Sequence, residues 1–291
     1  MLRAAARGGG RSMDYRGKVV IITGASSGIG REAARAFASR NSVVVGVARR
    51  EALLREQLER WRRDSPDSIC LVGDLGEREF SEQVIAETVA RFGRIDVLVH
   101  NAAVPKHKQI YDLNGDEAEY VTRVNFLSPV WTTLAAIPHM LANHGGFIVN
   151  VSSFAALVPP PRESVYAASK AALNAFSAGL WNDLAGSQIQ VSVINPGAID
   201  TEIWDKQEAP NAFRGRKHPP SMIVDAIFEA IEKRRFELVI PRRSLSLMAA
   251  NFLRQFWPAA LRFGMARMDP VPKDVIEDAR QRALEARRPR D

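Results

Sequence analysis

The stretch "KVVIITGASSGIG", Lys18 to Gly30, decides the fold class. Its first half is a run of apolar, β-branched residues, which predicts a parallel strand buried on both faces. Its second half holds Gly24, Gly28 and Gly30, and the helix-like run "REAARAFASR" follows directly. A glycine-rich turn between a buried strand and a helix predicts a phosphate-binding turn at the helix N-terminus.

Strand-like and helix-like runs alternate along the rest of the chain. The later strand-like runs are "SVVVGVA", "SICLVGD", "IDVLVHNAA", "GGFIVNVSS", "IQVSVINPG" and the short "FELVIP". Between the fourth and fifth strands, "AEYVTRVNFLSPVWTTLAAIPHML" predicts one long helical stretch. Repeated strand–helix–strand units with right-handed crossovers give a doubly wound parallel sheet. We therefore predict an α/β, Rossmann-type fold of about seven strands with helices on both faces.

The domain organisation follows from composition along the chain. Residues 1–16 are basic and predict a flexible leader without the apolar segment of a secretory signal, and Met13 is an alternative initiator. No linker-like stretch divides the next part, so residues 17–241 are expected to form one dinucleotide-binding and catalytic domain. Residues 242–291 are expected to form a helical C-terminal extension.

Composition and charge narrow the function classes. The 291 residues are 46% hydrophobic and 25% charged, which is typical of a globular protein. The net charge of +7 is spread over several segments, without a helix-turn-helix, zinc or aromatic-platform pattern, so nucleic acid is not an expected partner. The five histidines show no metal-ligand spacing, and we expect no metal site.

The single cysteine, Cys70, excludes an internal disulfide and is typical of a reducing compartment, which predicts a cytoplasmic protein. Because Cys70 lies in the strand-like run "SICLVGD", an inert thiol in a buried strand is expected rather than a nucleophile.

The residues after the second and third strands indicate the cofactor. An acidic residue after the second strand accepts the ribose hydroxyls of NAD, whereas a basic one suits the 2′-phosphate of NADP. Here Arg49 and Arg50 stand in that place, which favours NADP(H), with Arg49 as the first candidate and the start of a solvated helix as the alternative. Asp74, before Leu75 in "GDL", could accept from an adenine amino group or serve only as a turn residue.

A tyrosine and a lysine stand four residues apart in "VYAASKAALNAF", Val165 to Phe176. On a helix, Tyr166 and Lys170 project from one face. The pair alone does not distinguish acid–base chemistry from an ordinary solvated helix face.

Five motifs in a fixed order give the pair its meaning. They are "TGASSGIG", "GDL", "HNAA", "VNVSS" with "YAASK", and "NPG" followed by Thr201. Over roughly residues 18–201, the chain resembles the short-chain dehydrogenase/reductase family in its single-domain branch. The resemblance implies a general acid–base role for Tyr166. It implies that Lys170 holds the nicotinamide ribose and lowers the tyrosine's pKa, that Ser153 orients the substrate oxygen, and that Asn125 completes a proton relay.

Ser153 is preferred to Ser152 because it stands thirteen residues before Tyr166, the family's usual interval, and adjacent strand residues face opposite sides. The resemblance also implies a set of cofactor-binding residues. They are Gly24, Ser26, Ser27, Gly28, Ile29, Gly30, Arg49, Arg50, Asp74, Leu75, Asn101, Tyr166, Lys170, Pro196, Gly197, Ile199 and Thr201.

The chain departs from the family pattern in two places. The usual Asn-Asn-Ala-Gly is His100-Asn101-Ala102-Ala103, and cofactor binding is expected to survive so small a change as glycine to alanine. The glycine-rich C-terminal motif of many tetrameric members is missing, so a homo-oligomer is expected but dimer and tetramer both stay open.

The function implied is NADP(H)-dependent interconversion of a small-molecule carbonyl and its alcohol, on an apolar ketone or aldehyde. The alternative is a non-catalytic NADP(H)-binding sensor or scaffold on the same fold. The segment from Ala198 to Pro220 corresponds to the family's variable substrate lid, and Trp204 and Phe213 are candidate contacts.

The segment "RRSLSLMAANFLRQFWPAALRFGMAR", Arg242 to Arg267, carries five arginines and no acid. Leu245, Met248, Phe252 and Phe256 recur at helical spacing until Pro258 interrupts the pattern. One interpretation is a helix that packs its apolar stripe on the domain or across a dimer. The other is a surface helix in peripheral contact with anionic lipid.

Overall fold

The computed structural model of the protein describes residues 13–206 and 215–285. Within these ranges, seven strands form one parallel sheet in the order β3-β2-β1-β4-β5-β6-β7, which confirms the predicted α/β fold. The strands are β1 (Val19–Thr23), β2 (Val43–Ala48), β3 (Ile69–Val72), β4 (Val97–His100), β5 (Gly146–Val151), β6 (Ile189–Pro196) and β7 (Glu237–Ile240).

Helices connect the strands and cover both faces of the sheet. They are α1 (Gly28–Ala38), α2 (Glu51–Trp61), α3 (Arg78–Phe92), α4 (Gly115–Thr122), α5 (Ser128–Ala142), α6 (Ser164–Asp183) and α7 (Ser221–Glu232). The core on one face unites α1, α2 and α7 with residues such as Val20 and Ile22 of β1. The core on the other face unites α3, α5 and α6 with Val19 and Ile21, since neighbouring strand residues point to opposite faces.

The packed structure begins before the expected boundary at residue 17. Tyr15 is 4% exposed, and its ring makes edge contacts with Phe37 and Phe228 at centroid distances of 5.6 and 5.2 Å. Residues 1–12 of the predicted leader lie outside the described residues. Tyr15 is therefore part of the core and not of a flexible leader.

Strand β3 is an edge strand, which corrects the expectation for Cys70. The strand pairs with β2 alone in the sheet order, and Cys70 is half-buried. Partial burial nevertheless raises the pKa of the Cys70 thiol, so the protonated form dominates at neutral pH.

The predicted long helix between β4 and β5 is interrupted. A π-helical turn at Arg123–Leu127 separates α4 from α5, and Asn125 is fully buried within it. Such turns insert one extra residue per turn and change where the following side chains point. The uniform apolar pattern of the segment gives no sign of that insertion.

The C-terminal part contains α8 (Leu245–Phe256), α9 (Pro258–Met268) and α10 (Lys273–Glu285). Neither α8 nor α9 has a buried residue, and Leu245, Met248, Phe252 and Phe256 are 54–81% exposed. Packing of this stripe on its own domain is therefore wrong, because the half-buried residues of α8, such as Leu247, Ala250 and Leu253, lie on its other side. Among the described helices, none combines the length and hydropathy that a membrane span requires.

Candidate active site

A cavity of about 1050 Å³ lies along the carboxyl ends of the strands. β1 and β4 are neighbours in the sheet, and the connections that leave them run toward opposite edges of it. Ligands bind outside the strand ends at such a switch point. The cavity runs from Arg49 and Asp74, after β2 and β3, to Leu247 and Leu261 of the C-terminal helices.

The glycine turn closes tightly at one side of this cavity. Gly24 adopts a φ of +70°, and a Cβ at Gly30 would lie 2.2 Å from the Gly24 carbonyl oxygen. Side chains are therefore excluded at both positions. Ser27, the N-cap of α1, makes no side-chain cap, and the first turn of α1 has no acidic residue. The N–H groups of this turn can donate hydrogen bonds to an anionic group.

Asn101 ties the end of β4 to this turn. Its backbone N–H donates to Thr23 Oγ1 at 2.9 Å, and its side-chain Nδ2 donates to the Thr23 carbonyl oxygen at 3.0 Å. Thr23 was not selected as a site residue from the sequence, although its hydroxyl joins the two strand ends. The predicted residue Asn101 thus holds the glycine turn as well as lining the cavity.

Two arginines follow β2 and point to different partners. Arg50 contacts the hydroxyl of Ser27, lies 3.3 Å from that of Ser26, and pairs with Glu202 at 2.9 Å. Arg49 contacts the hydroxyl of Tyr120 and lies 3.5 Å from an Asp74 carboxylate oxygen.

Asp74 itself serves two partners. One carboxylate oxygen accepts from the Gly76 backbone N–H at 2.9 Å, and the other accepts from the Tyr120 hydroxyl at 2.8 Å. The turn role expected for Asp74 therefore coexists with its place in the cavity wall. Tyr120 was missed because only the fold brings α4 beside β3.

Ser153, Tyr166 and Lys170 lie together in the cavity wall. Ser153 is within hydrogen-bond reach of the Tyr166 hydroxyl. Lys170 is 2% exposed, and its ammonium donates to the Val151 carbonyl oxygen at 2.9 Å. Ser152 faces away and donates to the Lys170 carbonyl oxygen at 3.1 Å. The two neighbouring serines therefore point in opposite directions, as strand alternation requires.

Burial shifts the pKa of both groups of the Tyr–Lys pair. It raises the pKa of Tyr166 to about 12; the hydrogen bond with Ser153 acts in the lowering direction, and the charge of Glu163 in the raising direction. It lowers the pKa of Lys170 to about 8. Lys170 is not among the groups that shift the pKa of Tyr166 in this structure, where its ammonium is directed to a backbone carbonyl, and its lowering of the tyrosine's pKa stays a prediction.

Asn125 does not join the other three predicted catalytic residues. Its Oδ1 accepts from the Val104 backbone N–H at 2.8 Å, and its Nδ2 donates to the Val104 carbonyl oxygen at 3.0 Å and to Ser169 Oγ at 3.1 Å. It is absent from the cavity lining, because the π-helical turn directs the side chain to the segment after β4. The contacts of its side chain are those of a positioning residue.

His100, the departure from the family pattern, is buried behind this wall. Its ring nitrogens contact Asn150 Oδ1 and Thr132 Oγ1, both at 2.7 Å. Desolvation lowers the pKa of His100 to about 4, so the ring is neutral at physiological pH.

All but two of the predicted site residues line the cavity; the exceptions are Asn125 and Gly30. Gly30 acts through close packing against the glycine turn. Trp204 lines the cavity, whereas Phe213 lies outside the described residues. Most cavity residues outside the glycine turn and the Tyr166 helix are not predicted from the sequence, since no motif marks them. They include His107, Phe154, Val158, Arg162, Glu163, Leu247, Ala250, Leu261, Met265 and Met268.

A family model described as short chain dehydrogenase matches residues 18–212 of the sequence. The chain belongs to the short-chain dehydrogenase family. As a member of this family it is an oxidoreductase, and the matched residues span β1 to the segment after β6.

Individual short-chain dehydrogenases resemble the chain over different extents. A short chain dehydrogenase of Pseudocercospora fijiensis is 31% identical over 78% of this chain and 71% of its own. The 11-beta-hydroxysteroid dehydrogenase A of Sesamum indicum is 40% identical over 66% of this chain, but the match spans only 55% of that enzyme.

Two solved structures of short-chain dehydrogenases share the fold. One from Burkholderia phymatum, in complex with NAD, has a TM-score of 0.78 and 25% identity and covers 89% of this chain and 99% of its own. One from Sphingobium yanoikuyae, in complex with NADPH, has a TM-score of 0.72 and 26% identity and covers 94% of this chain and 98% of its own.

Proposed function

We propose that this short-chain dehydrogenase interconverts an apolar ketone or aldehyde and its alcohol with NADP(H), and that Tyr166 is the general acid–base. The observation that carries the proposal is the grouping of Ser153, Tyr166 and Lys170 in one cavity with the glycine turn. A scaffold protein would have no chemical need for a phenol, a hydroxyl and a desolvated ammonium in one cavity wall.

The residues present fit a nicotinamide dinucleotide. The φ of +70° at Gly24 disfavours any side chain there, and a Cβ at Gly28 would meet the Thr201 methyl group at 3.1 Å. Because neither position carries a side chain, a pyrophosphate can approach the backbone of the turn. Lys170 and Tyr166 would hold the nicotinamide ribose. When bound, the cofactor supplies or accepts the hydride.

The two arginines support the preference for NADP(H). Arg50 and the hydroxyls of Ser26 and Ser27 form a cluster of donors beside the ribose end of the glycine turn. Arg49 is 57% exposed at its side chain, and it can exchange its contacts with Tyr120 and Asp74 for a phosphate on the same ribose. Guanidinium groups bind phosphates bidentately, and the two residues directly after β2 are arginines rather than a carboxylate that would select the free hydroxyl. Arg49 remains our first candidate, with Arg50 as its partner.

The protonation states favour carbonyl reduction. With a pKa of about 12, Tyr166 carries its proton throughout the neutral range and can donate it to a developing alkoxide. Ser153 can donate a second hydrogen bond to the same oxygen. Alcohol oxidation requires Tyr166 to accept a proton as the phenolate, which this environment disfavours until the pH is strongly alkaline.

The wall opposite the Tyr–Lys pair supports an apolar substrate. The C-terminal helices contribute Leu247, Ala250, Leu261 and Met265 to the cavity, and the short turn after β5 contributes Phe154. Apolar walls with a few convergent polar groups are typical of small-molecule sites. The polar groups Ser153 and Tyr166 would then select the carbonyl within an otherwise apolar ligand.

We also propose a cytoplasmic homo-oligomer. The single, half-buried Cys70 suits a reducing compartment. Leu134 and Leu141 of α5 and Trp181 of α6 are 48–59% exposed, and this apolar surface supports contact with a second copy. Sedimentation velocity would detect the dimer or tetramer.

The function is tested by NADPH and NADH oxidation across apolar aldehydes, ketosteroids, acyl carbonyls and sugars. We expect turnover with at least one apolar carbonyl and a preference for NADPH. If NADPH binds with micromolar affinity but no carbonyl is reduced by the wild type, the non-catalytic sensor or scaffold becomes the better account.

A further inference from the structure

On the outer side of α8 and α9, large apolar side chains are exposed in the described part of the protein. We call this surface the α8–α9 outer face. Each of its six members is more than half exposed: Leu245, Met248, Phe252, Phe256, Trp257 and Phe263. Large apolar residues grouped on one surface mark an interaction site.

The geometry of α8 turns these residues into a continuous strip. Leu245, Met248, Phe252 and Phe256 are spaced by three or four residues and therefore share one side of the helix. The rings of Phe252 and Phe256 are in contact, with centroids 4.7 Å apart and planes inclined by 40°. Trp257 follows directly, at the junction where Pro258 begins α9.

Positive charge surrounds the strip. From Leu238 to Met268 the sequence contains no acidic residue but five arginines. Arg242 is paired with Glu229 at 2.8 Å, whereas Arg254 and Arg262 are exposed. Arg262 directly precedes Phe263, and Arg254 lies nine residues after Leu245, on the side of α8 away from the strip. Arg267 lies over the Phe263 ring at 3.7 Å, so charge and apolar surface are interleaved.

The charge decides between two occupants of this face. In a symmetric contact with a second copy, the arginines of one chain would face the arginines of the other, which is unfavourable. A bilayer surface with anionic lipid pairs with the arginines and receives the apolar side chains below its headgroups. Trp257 has the apolar body and polar N–H that suit the headgroup region.

We propose that the α8–α9 outer face docks on a bilayer surface that contains anionic lipid. Each helix is about 17 Å long at 1.5 Å per residue, which is shorter than the hydrocarbon core of a bilayer. In the docked protein both helices therefore lie along the surface. The side of these helices that faces the protein lines the cavity with Leu247, Ala250 and Leu261.

Docking would place the substrate end of the cavity next to the lipid, where an apolar carbonyl compound partitions. This consequence, unlike docking itself, rests on the proposed function. The end of α9 is attached to the cavity rim by Asp269, which accepts two hydrogen bonds from Arg162 at 2.6 and 2.9 Å and one from Gln109 at 2.9 Å.

Co-sedimentation of the full chain with vesicles tests the proposal. We expect at least tenfold stronger partition onto phosphatidylcholine–phosphatidylglycerol vesicles than onto phosphatidylcholine alone at 50 mM salt, and a marked loss at 500 mM salt. The variant Phe252→Ser/Phe256→Ser/Trp257→Ser should lower partition more than tenfold. The control Leu53→Ser/Val72→Ser removes exposed apolar side chains elsewhere and should bind like the wild type.

Charge is tested separately from apolar contact. Arg262→Gln/Arg267→Gln should weaken binding to the anionic vesicles more than tenfold, since each arginine near such a surface contributes about fivefold. Arg35→Gln/Arg60→Gln makes the same change in net charge on α1 and α2 and should have little effect.

The proposal is overturned if the wild type fails to pellet with anionic vesicles at low salt, or if the outer-face variants pellet as well as their controls. It is also overturned if sedimentation velocity shows that the triple serine variant breaks a dimer, because a second copy then covers the face. NADPH oxidation, measured without vesicles on the same preparations, separates a failure of docking from a failure of the proposed function.

Discussion

The cavity has two walls of different construction. One is formed by the carboxyl ends of β1, β4 and β5 together with α6, where Lys170 and His100 are each 2% exposed. The other is formed by the inner side of α8 and α9, which contain no buried residue. We call them the strand wall and the helix wall. The proposed catalytic groups therefore lie against the most buried part of the molecule, whereas the proposed substrate contacts lie on helices without a buried residue.

The attachments of the two walls differ in the same way. In the strand wall, two hydrogen bonds join β5 to α6: Lys170 donates to the Val151 carbonyl oxygen, and Ser152 donates to the Lys170 carbonyl oxygen. In the helix wall, the ion pair between Arg162 and Asp269 is partly exposed. Substitutions in the strand wall should therefore change the chemistry strongly, and those in the helix wall should mainly change substrate binding.

The largest expected effect is that of Tyr166→Phe in the strand wall. Loss of the proton donor should lower kcat by about 10³-fold, within the range for general acid catalysis, while NADPH binding stays nearly intact. Steady-state kinetics and a fluorescence titration of NADPH measure the two quantities. Lys170→Ala should damage both, because the residue would also hold the ribose. Retention of more than a few per cent activity in Tyr166→Phe would remove its assignment.

The next effect concerns the cofactor end of the strand wall. Arg49→Asp should weaken NADPH binding by about 2–3 kcal/mol, the scale of a charge-assisted contact turned repulsive, and affect NADH much less. Arg50→Ala is the variant to compare with Arg49→Asp, because the Arg50 guanidinium contacts the hydroxyls of Ser26 and Ser27. Dissociation constants for both cofactors are the readout. An equal loss for NADPH and NADH in Arg49→Asp would show that Arg49 does not recognise the 2′-phosphate.

The strand wall was largely predictable from the sequence, and the helix wall was not. The glycine turn and the Tyr166 helix require particular residues at fixed spacing, so their motifs are readable before folding. Tyr120 and Glu163 act through contacts that only the fold creates, and the inner residues of α8 satisfy no rule beyond being apolar. For Asn125, the sequence identified the position but not the π-helical turn that directs its side chain away from the cavity.

A smaller effect is expected from His100, behind the strand wall. Its folded pKa of about 4 lies below the ordinary value of 6.5, so the unfolded chain binds the extra proton as the pH falls through that interval. The free energy of unfolding should therefore drop by about 2 kcal/mol from pH 7 to pH 5. His100→Asn should remove this part of the drop. Urea unfolding at pH 7 and pH 5 measures the drop in the free energy of unfolding. An equal drop in the wild type and in His100→Asn would contradict the assignment.

The smallest effect is expected in the helix wall. Asp269→Asn weakens the attachment of α9 to Arg162, a partly exposed ion pair worth about 1 kcal/mol. The KM for an apolar carbonyl should rise about three- to fivefold while kcat stays within twofold. Glu82→Gln breaks a more exposed ion pair with Arg78 on α3, outside the cavity lining, and should leave KM unchanged. A large fall in kcat in Asp269→Asn would mean that the helix wall takes part in the chemistry, and the comparison of the two walls would then fail.

The order of the strands has a consequence for how such an enzyme can change. The residues that would choose between cofactors follow β2 and β3, whereas part of the substrate side follows β6 and β7, at the opposite end of the sheet. Strands lie about 4.8 Å apart, so β2 and β6, separated by four steps, are about 19 Å from each other. Substitutions at such a distance combine additively. Cofactor choice and substrate choice can therefore be altered separately at residues this far apart, whereas Arg50 and Glu202, which are in contact at 2.9 Å, have to be varied together.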